Sequence, residues 1–125
     1  MVMPFADKFQ PIYDDHIKPV AEELGRTIRR GDDFFGKTSI MTEIWSAINN
    51  ARLVIAECAG RNPNVFYELG IAHSLDKPVV MITQNIEDIP FDIRYLRYIK
   101  YEYNLRGMSK FEADLKKAIA NLLED

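Results

Sequence analysis

In the segment Arg61-Asn62-Pro63-Asn64-Val65-Phe66-Tyr67-Glu68-Leu69-Gly70-Ile71-Ala72-His73, a single carboxylate interrupts an otherwise apolar helical stretch. Carboxylates rarely occupy such a position unless a partner neutralises them or chemistry uses them. An arginine and two amides precede Glu68, and a histidine follows it. That combination suits a pocket holding a polar ring compound against a nucleophile or base. The competing reading of Glu68 is a structural carboxylate that satisfies backbone donors near a helix start, where the helix dipole also favours it.

The neighbouring residues divide in the same way between chemistry and architecture. Asn62 and Asn64 can contact a ligand, or shape a turn and cap the helix, and the two roles can coexist. Arg61 is either a solvated loop charge or a phosphate contact. Asp32 and Asp33 read first as loop and cap residues. One of them can bind ribose hydroxyls, as acidic residues after a second strand do in dinucleotide folds. His73 is expected to pack on the helix flank, Trp45 and Phe35 to lie in the core and at its rim, and Tyr67 to be exposed. Cys58 is expected to behave as a small buried apolar residue.

These residues need elements to position them. Val2 to Phe5 reads as a short apolar strand. From about Asp7 to Leu24, Phe9, Ile12, Tyr13, Ile17, Val20, Ala21 and Leu24 recur at helical spacing, with Pro11 in a first turn. Pro19 should kink or locally break this helix, and Gly25 should cap it. Thr27 to Arg30 reads as a second short strand and Gly31 to Gly36 as a loop. Thr38 or Ser39 is expected to cap a helix with Ile40, Met41, Ile44, Trp45 and Ile48 on one face. Leu53 to Ala56 is a continuous apolar run, the pattern of a strand buried on both faces of a parallel sheet. A helix from about Val65 to Leu75 follows and ends at Asp76-Lys77-Pro78. Val79 to Thr83 is a second buried strand, Ile86 to Tyr95 is irregular, and Arg97 to Tyr101 alternates like an edge strand. Ser109 is expected to cap a last helix carrying Phe111, Leu115, Ala118, Ile119, Leu122 and Leu123.

This alternation predicts one domain spanning residues 1–125 with a three-layer α/β/α architecture. The expected sheet is doubly wound, parallel and five-stranded, in the flavodoxin-like order 2-1-3-4-5. In such sheets ligands bind beyond the carboxyl ends of the strands, near the switch point. Four loops should converge there: one with Pro4 and Phe5, one with Arg30, Asp32, Asp33 and Phe35, one running from Glu57 to Asn64, and one with Thr83, Gln84 and Asn85.

Several chemistries are absent from the sequence. There is neither a G-x-x-x-x-G-K-[ST] phosphate loop nor a G-x-G-x-x-G after the first strand. Glu57 stands where a phosphoryl-receiver design needs an acceptor aspartate. No G-x-S-x-G nucleophile elbow occurs. One cysteine and two distant histidines argue against a Cys/His metal site, and no cofactor is expected.

Three stretches, Arg52 to Glu57, Arg61 to His73 and Lys77-Pro78-Val79-Val80, together resemble the nucleoside 2-deoxyribosyltransferase-like superfamily. In that superfamily a strand ending in an acidic residue leads through a polar loop into a helix with Glu-Leu-Gly-x-Ala, followed by a Lys-Pro-Val strand start. Val2-Met3-Pro4-Phe5 and Asp32-Asp33 look like a TIR-like branch found in bacterial effector and nucleotide-binding proteins. The resemblance implies N-glycosidic chemistry, with Glu68 as the glutamate that attacks, or stabilises positive charge at, C1′ of a ribose or deoxyribose while the base departs. The implied substrate contacts are Pro4, Phe5, Asp32, Asp33, Glu57, Arg61, Asn62, Asn64 and Gln84. Asn62 stands where the transferases usually carry an aspartate, and an asparagine can hydrogen-bond a base but cannot protonate it. Glu57 likewise replaces the commoner aspartate. These departures favour hydrolysis of a nucleotide or NAD-like compound, or binding without turnover in a sensor or assembly module, over deoxyribosyl transfer.

The charge pattern agrees with a small-molecule ligand. The net charge is −3, and the sixteen basic residues are scattered apart from the pairs Arg29-Arg30 and Lys116-Lys117. Duplex nucleic acid is therefore not expected as a partner. No apolar run approaches the roughly 20 residues of a membrane span, and the N-terminus lacks the apolar core of a signal peptide, so a cytoplasmic protein is expected. Tyr95, Tyr98, Tyr101 and Tyr103, near the expected edge strand, offer a surface for a homo-oligomer or else cover that edge within one subunit.

Overall fold

Parallel pairing of three short strands organises the chain: β1 (Val54–Glu57), β2 (Val79–Thr83) and β3 (Tyr98–Lys100), in the order β1-β2-β3. The computed structural model describes residues 9–30 and 41–123. The expected strand Val2–Phe5, the loop with Asp32, Asp33 and Phe35, and the caps Thr38 and Ser39 lie outside the described residues. Val54 pairs with Val79 and Glu57 with Ile82, while Met81 pairs with Tyr98 and Thr83 with Lys100.

Alternation along the strands divides the core in two. Ile55, Val80, Ile82 and Ile99 point to one face, with Ile12, Ile17, Phe111 and Leu115. Val54, Ala56 and Met81 point to the other, with Ile48, Val65, Leu69 and Ala72. The apolar runs at Leu53–Ala56 and Val79–Thr83 are therefore continuous because helices cover both sides. The first face is covered by the N-terminal helical run and by α5 (Leu105–Leu122), the second by α3 (Met41–Asn50) and α4 (Pro63–Ser74).

The N-terminal run consists of α1 (Gln10–Ile12), a π-helical turn at Tyr13–Ile17 and α2 (Lys18–Glu23). The π turn takes the place of the kink expected at Pro19. Proline cannot donate to the helical ladder and crowds the preceding turn, and Lys18 N–H bonds five residues back to the Tyr13 carbonyl. Gly25 closes the run as expected: its N–H bonds to the Glu22 carbonyl, and Arg26 N–H bonds to Ala21. Thr27 to Arg30, expected as a strand, has no strand pairing among the described residues.

Other expectations are corrected. Trp45 lies outside the core, 45% exposed, while Ile48 of the same helix is buried. The last helix begins at Leu105, capped by Asn104, whose side chain accepts the Gly107 N–H at 2.7 Å; Ser109 is not its cap. A Cβ on Gly107 would collide with the Glu102 carbonyl oxygen, so this start requires glycine. Tyr101 is buried in the first core, whereas Tyr95, Tyr98 and Tyr103 are exposed.

Candidate functional site at the strand ends

The face covered by the N-terminal helix and α5 ends in a polar row. Glu57 ends β1 on the side of Ile55, Gln84 follows β2 on the side of Ile82, and Tyr101 follows β3 on the side of Ile99. Tyr101 Oη donates to Glu57 Oε2 at 2.5 Å, and Gln84 Nε2 donates to Tyr101 Oη at 3.4 Å. The other Glu57 oxygen accepts the Ala59 N–H at 3.0 Å. The tyrosine ring is held by α5, its centroid 4.6 Å from that of Phe111.

Glu57 is only 1% exposed. Burial pushes its carboxyl up to about 7 against the two hydrogen bonds that favour the charged form, and nearby Asp88 adds to the rise. Burial and the Glu57 charge also hold the Tyr101 phenol above its ordinary range. Cys58, fully buried beside them, is pushed up to about 12 by burial and by Glu57 and Asp88. A thiol so placed is inert at neutral pH.

The chain next turns sharply. Gly60 and Arg61 both have positive φ, at 86° and 55°, a conformation free of penalty for glycine and uncommon for arginine. Asp88, in a 3₁₀ turn at Ile86–Asp88, holds the bend: it accepts Gly60 N–H at 3.0 Å and Arg61 Nε at 3.1 Å. Arg61 Nη2 also donates to the Glu87 carbonyl. Asn62 caps α4 through its side-chain oxygen, which accepts Asn64 N–H at 2.9 Å, and Pro63 fills the first turn. Asn64 is exposed. The architectural roles of Arg61 and Asn62 are thus occupied in this structure.

Glu68 lies in the second turn of α4, on the flank of the face that buries Val65, Leu69 and Ala72. It is half-buried, and desolvation raises its carboxyl above the ordinary range. Among the described residues its carboxylate makes no hydrogen bond and no ion pair. Because α4 starts at the carboxyl end of β1, Glu68 sits near the strand tips. It lies on the layer opposite to Glu57, and the two acids belong to different faces of the sheet.

The structure thus places Glu57 and Gln84 in one hydrogen-bonded row, groups Arg61, Asn62 and Asn64 at the start of α4, and sets Glu68 on the flank of that helix. Pro4, Phe5, Asp32 and Asp33 lie outside the described residues. Sequence reasoning missed Tyr101 as the partner of Glu57 and Asp88 as the anchor of Arg61. A buried glutamate at a strand end demands a donor, but nothing in the sequence selects which of several tyrosines supplies it. Among the described residues no group of three or more His, Cys, Asp or Glu side chains is placed to hold a metal ion, and no helix is long and apolar enough to cross a membrane. Neither the known protein-family models nor the curated proteins contain a match to this chain.

Proposed function

We propose that the protein cleaves the N-glycosidic bond of a nucleoside, nucleotide or NAD-like compound, by hydrolysis or transfer, with Glu68 at C1′ of the sugar. The observation that carries this reading is the half-buried Glu68 carboxylate without a hydrogen-bond or ion-pair partner among the described residues, one and a half turns into the helix that starts at the strand ends. A partly desolvated carboxylate whose oxygens are not held by any described side chain or amide is available to a developing oxocarbenium ion, as covalent nucleophile or electrostatic partner. Pro4, Phe5, Asp32, Asp33, Asn64 and Gln84 surround the ligand in this reading. Glu57 serves from beneath the strand tips.

The five-stranded order 2-1-3-4-5 belongs to the same proposal. The observed neighbours β1, β2 and β3 correspond to its third, fourth and fifth strands. Every residue of β1 is buried, although β2 is its one strand neighbour among the described residues; that burial supports a further strand, Val2–Phe5, on the other edge. Self-association through the exposed aromatics Tyr95, Tyr98 and Tyr103 completes the picture.

A second reading is nucleotide binding without turnover in the same pocket, with Arg61, Asn62 and the first loop as contacts; the exposure of the Arg61 side chain favours it. One experiment separates the two. The protein is incubated at high concentration with NAD and a panel of nucleotides and deoxynucleotides, and released base is measured by chromatography alongside calorimetric binding. Base release abolished by Glu68→Gln supports cleavage. Binding without release selects the second reading, and release that survives Glu68→Gln overturns the assignment of Glu68.

A further inference from the structure

Glu57 and Tyr101 join two strands that are not neighbours. β2 lies between β1 and β3, and the Tyr101–Glu57 hydrogen bond passes over its end, where Gln84 meets the same phenol. The other Glu57 oxygen holds Ala59 N–H, the first turn of the loop that leads through Gly60 and Arg61 to the Asn62 cap of α4. One carboxyl group therefore fixes the end of β1 against both β3 and this loop.

We propose that Glu57 and Tyr101 form a proton-operated latch that ties the carboxyl ends of β1 and β3 and, through the Ala59 amide, sets the position of the loop entering α4. Two hydrogen-bonding arrangements fit the same heavy atoms. With Glu57 ionised, Tyr101 O–H and Ala59 N–H both donate to the carboxylate, and Gln84 Nε2 donates to the phenol oxygen. With Glu57 protonated, its O–H donates to the phenol oxygen, and the phenol hydrogen turns to the Gln84 amide oxygen after the amide rotates. The proton leaves to solvent past Gln84, the exposed member of the row.

The ionised arrangement is the less comfortable one. It leaves a charge in a nearly dry site whose neighbours are the Tyr101 phenol, the Cys58 thiol and the Asp88 carboxylate. None of these groups is a cation. Loss of the proton therefore reverses the Glu57–Tyr101 and Tyr101–Gln84 hydrogen bonds and draws Tyr101 O–H and Ala59 N–H onto the carboxylate at a cost in desolvation, so the strand ends and the loop respond together. The balance between burial and the two donors puts the change near neutrality, at about 7.

The test follows amide signals of the ¹⁵N-labelled full chain by NMR from about pH 5 to about pH 9, a window that brackets the transition. The Ala59 backbone amide and the Gln84 side-chain amide are expected to shift with one common midpoint near 7. Glu57→Gln is expected to abolish that shared transition. Tyr101→Phe keeps the ring on Phe111 and removes the donor that favours the carboxylate, so its midpoint must rise. A midpoint in the ordinary carboxylate range, a shared transition that survives Glu57→Gln, or a midpoint that falls in Tyr101→Phe overturns the latch. If Glu57→Gln does not fold, the direction of the Tyr101→Phe shift decides. None of these readouts needs a substrate, so they stand or fall apart from the chemistry proposed for Glu68.

Discussion

Glu68 and Glu57 are both desolvated carboxyl groups, but their surroundings differ in the feature that decides their behaviour. Glu57 has two donors and a closed environment, whereas Glu68 has no hydrogen-bond or ion-pair partner among the described residues. Glu68→Gln is therefore expected to lower base release by about 100-fold or more while leaving the melting temperature unchanged or higher, because it removes a partly desolvated charge that makes no hydrogen bond or ion pair among the described residues. Parallel activity and thermal-melt measurements check this. Glu57 has a folded-state value of about 7, above its unfolded value of 4.5. Its stabilisation is therefore fully present below about pH 4.5 and is lost as pH rises through about 7, by roughly 3 kcal/mol in all. Urea denaturation across that range should show this decline in the native protein and its absence in Glu57→Gln. Cys58 should resist a thiol reagent in the folded protein and react at once in urea; rapid labelling without denaturant would contradict its burial. Glu68 was legible from sequence as a carboxylate in an apolar run. The pairing of Glu57 with Tyr101 was not, since 44 positions separate them and only strand packing brings them together.

Helix starts show how local chemistry sets the boundaries of the elements. Asn62 and Asn104 each accept a first-turn N–H, at 2.9 and 2.7 Å. Asn62→Ala and Asn104→Ala should each cost about 1 kcal/mol in chemical denaturation. Asn62→Ala should also disturb the entry to α4 and thus Glu68, whereas Asn104→Ala should leave base release unchanged. The Asn62 cap was readable because Asn-Pro-Asn precedes a clear apolar helix. The Asn104 cap was hidden because the first turn of α5 is not amphipathic: Leu105 is 95% exposed, and the buried face begins only at Met108 and continues with Phe111 and Leu115. Pro19 correctly marked a disturbed helix, and packing of Tyr13 and Ile17 into the core turned the disturbance into a π-helical turn instead of a break.

Across the molecule, the sheet separates two apolar cores, and each helix layer depends on it. Leu115 in the first core and Leu69 in the second are almost fully buried, so Leu→Ala at either should cost about 2–5 kcal/mol in a two-state denaturation experiment. The β3 side of the sheet is less covered, with Phe91 and Tyr95 more than four-fifths exposed and Tyr98 exposed on the strand itself. If this surface carries the self-association proposed above, Phe91→Ser combined with Tyr98→Lys should reduce the mass measured by light scattering to that of one chain. An assembly that keeps its mass in this double variant must use another surface.

Period and punctuation were enough to determine much of this protein from its sequence. Continuous apolar runs marked β1 and β2 as strands covered on both faces. A 3.6-residue apolar period marked the helices, and Asp76-Lys77-Pro78 marked a helix end. These are local properties, set by how side chains alternate along a strand or wind around a helix. Side-chain direction at the strand ends was another matter. Tertiary packing placed Tyr101 inside and its neighbours outside, set Glu57 and Glu68 on opposite faces, and engaged Arg61 with Asp88. Each of those outcomes depends on which residues distant in the chain fill the space around a group, and desolvation then fixes its charge.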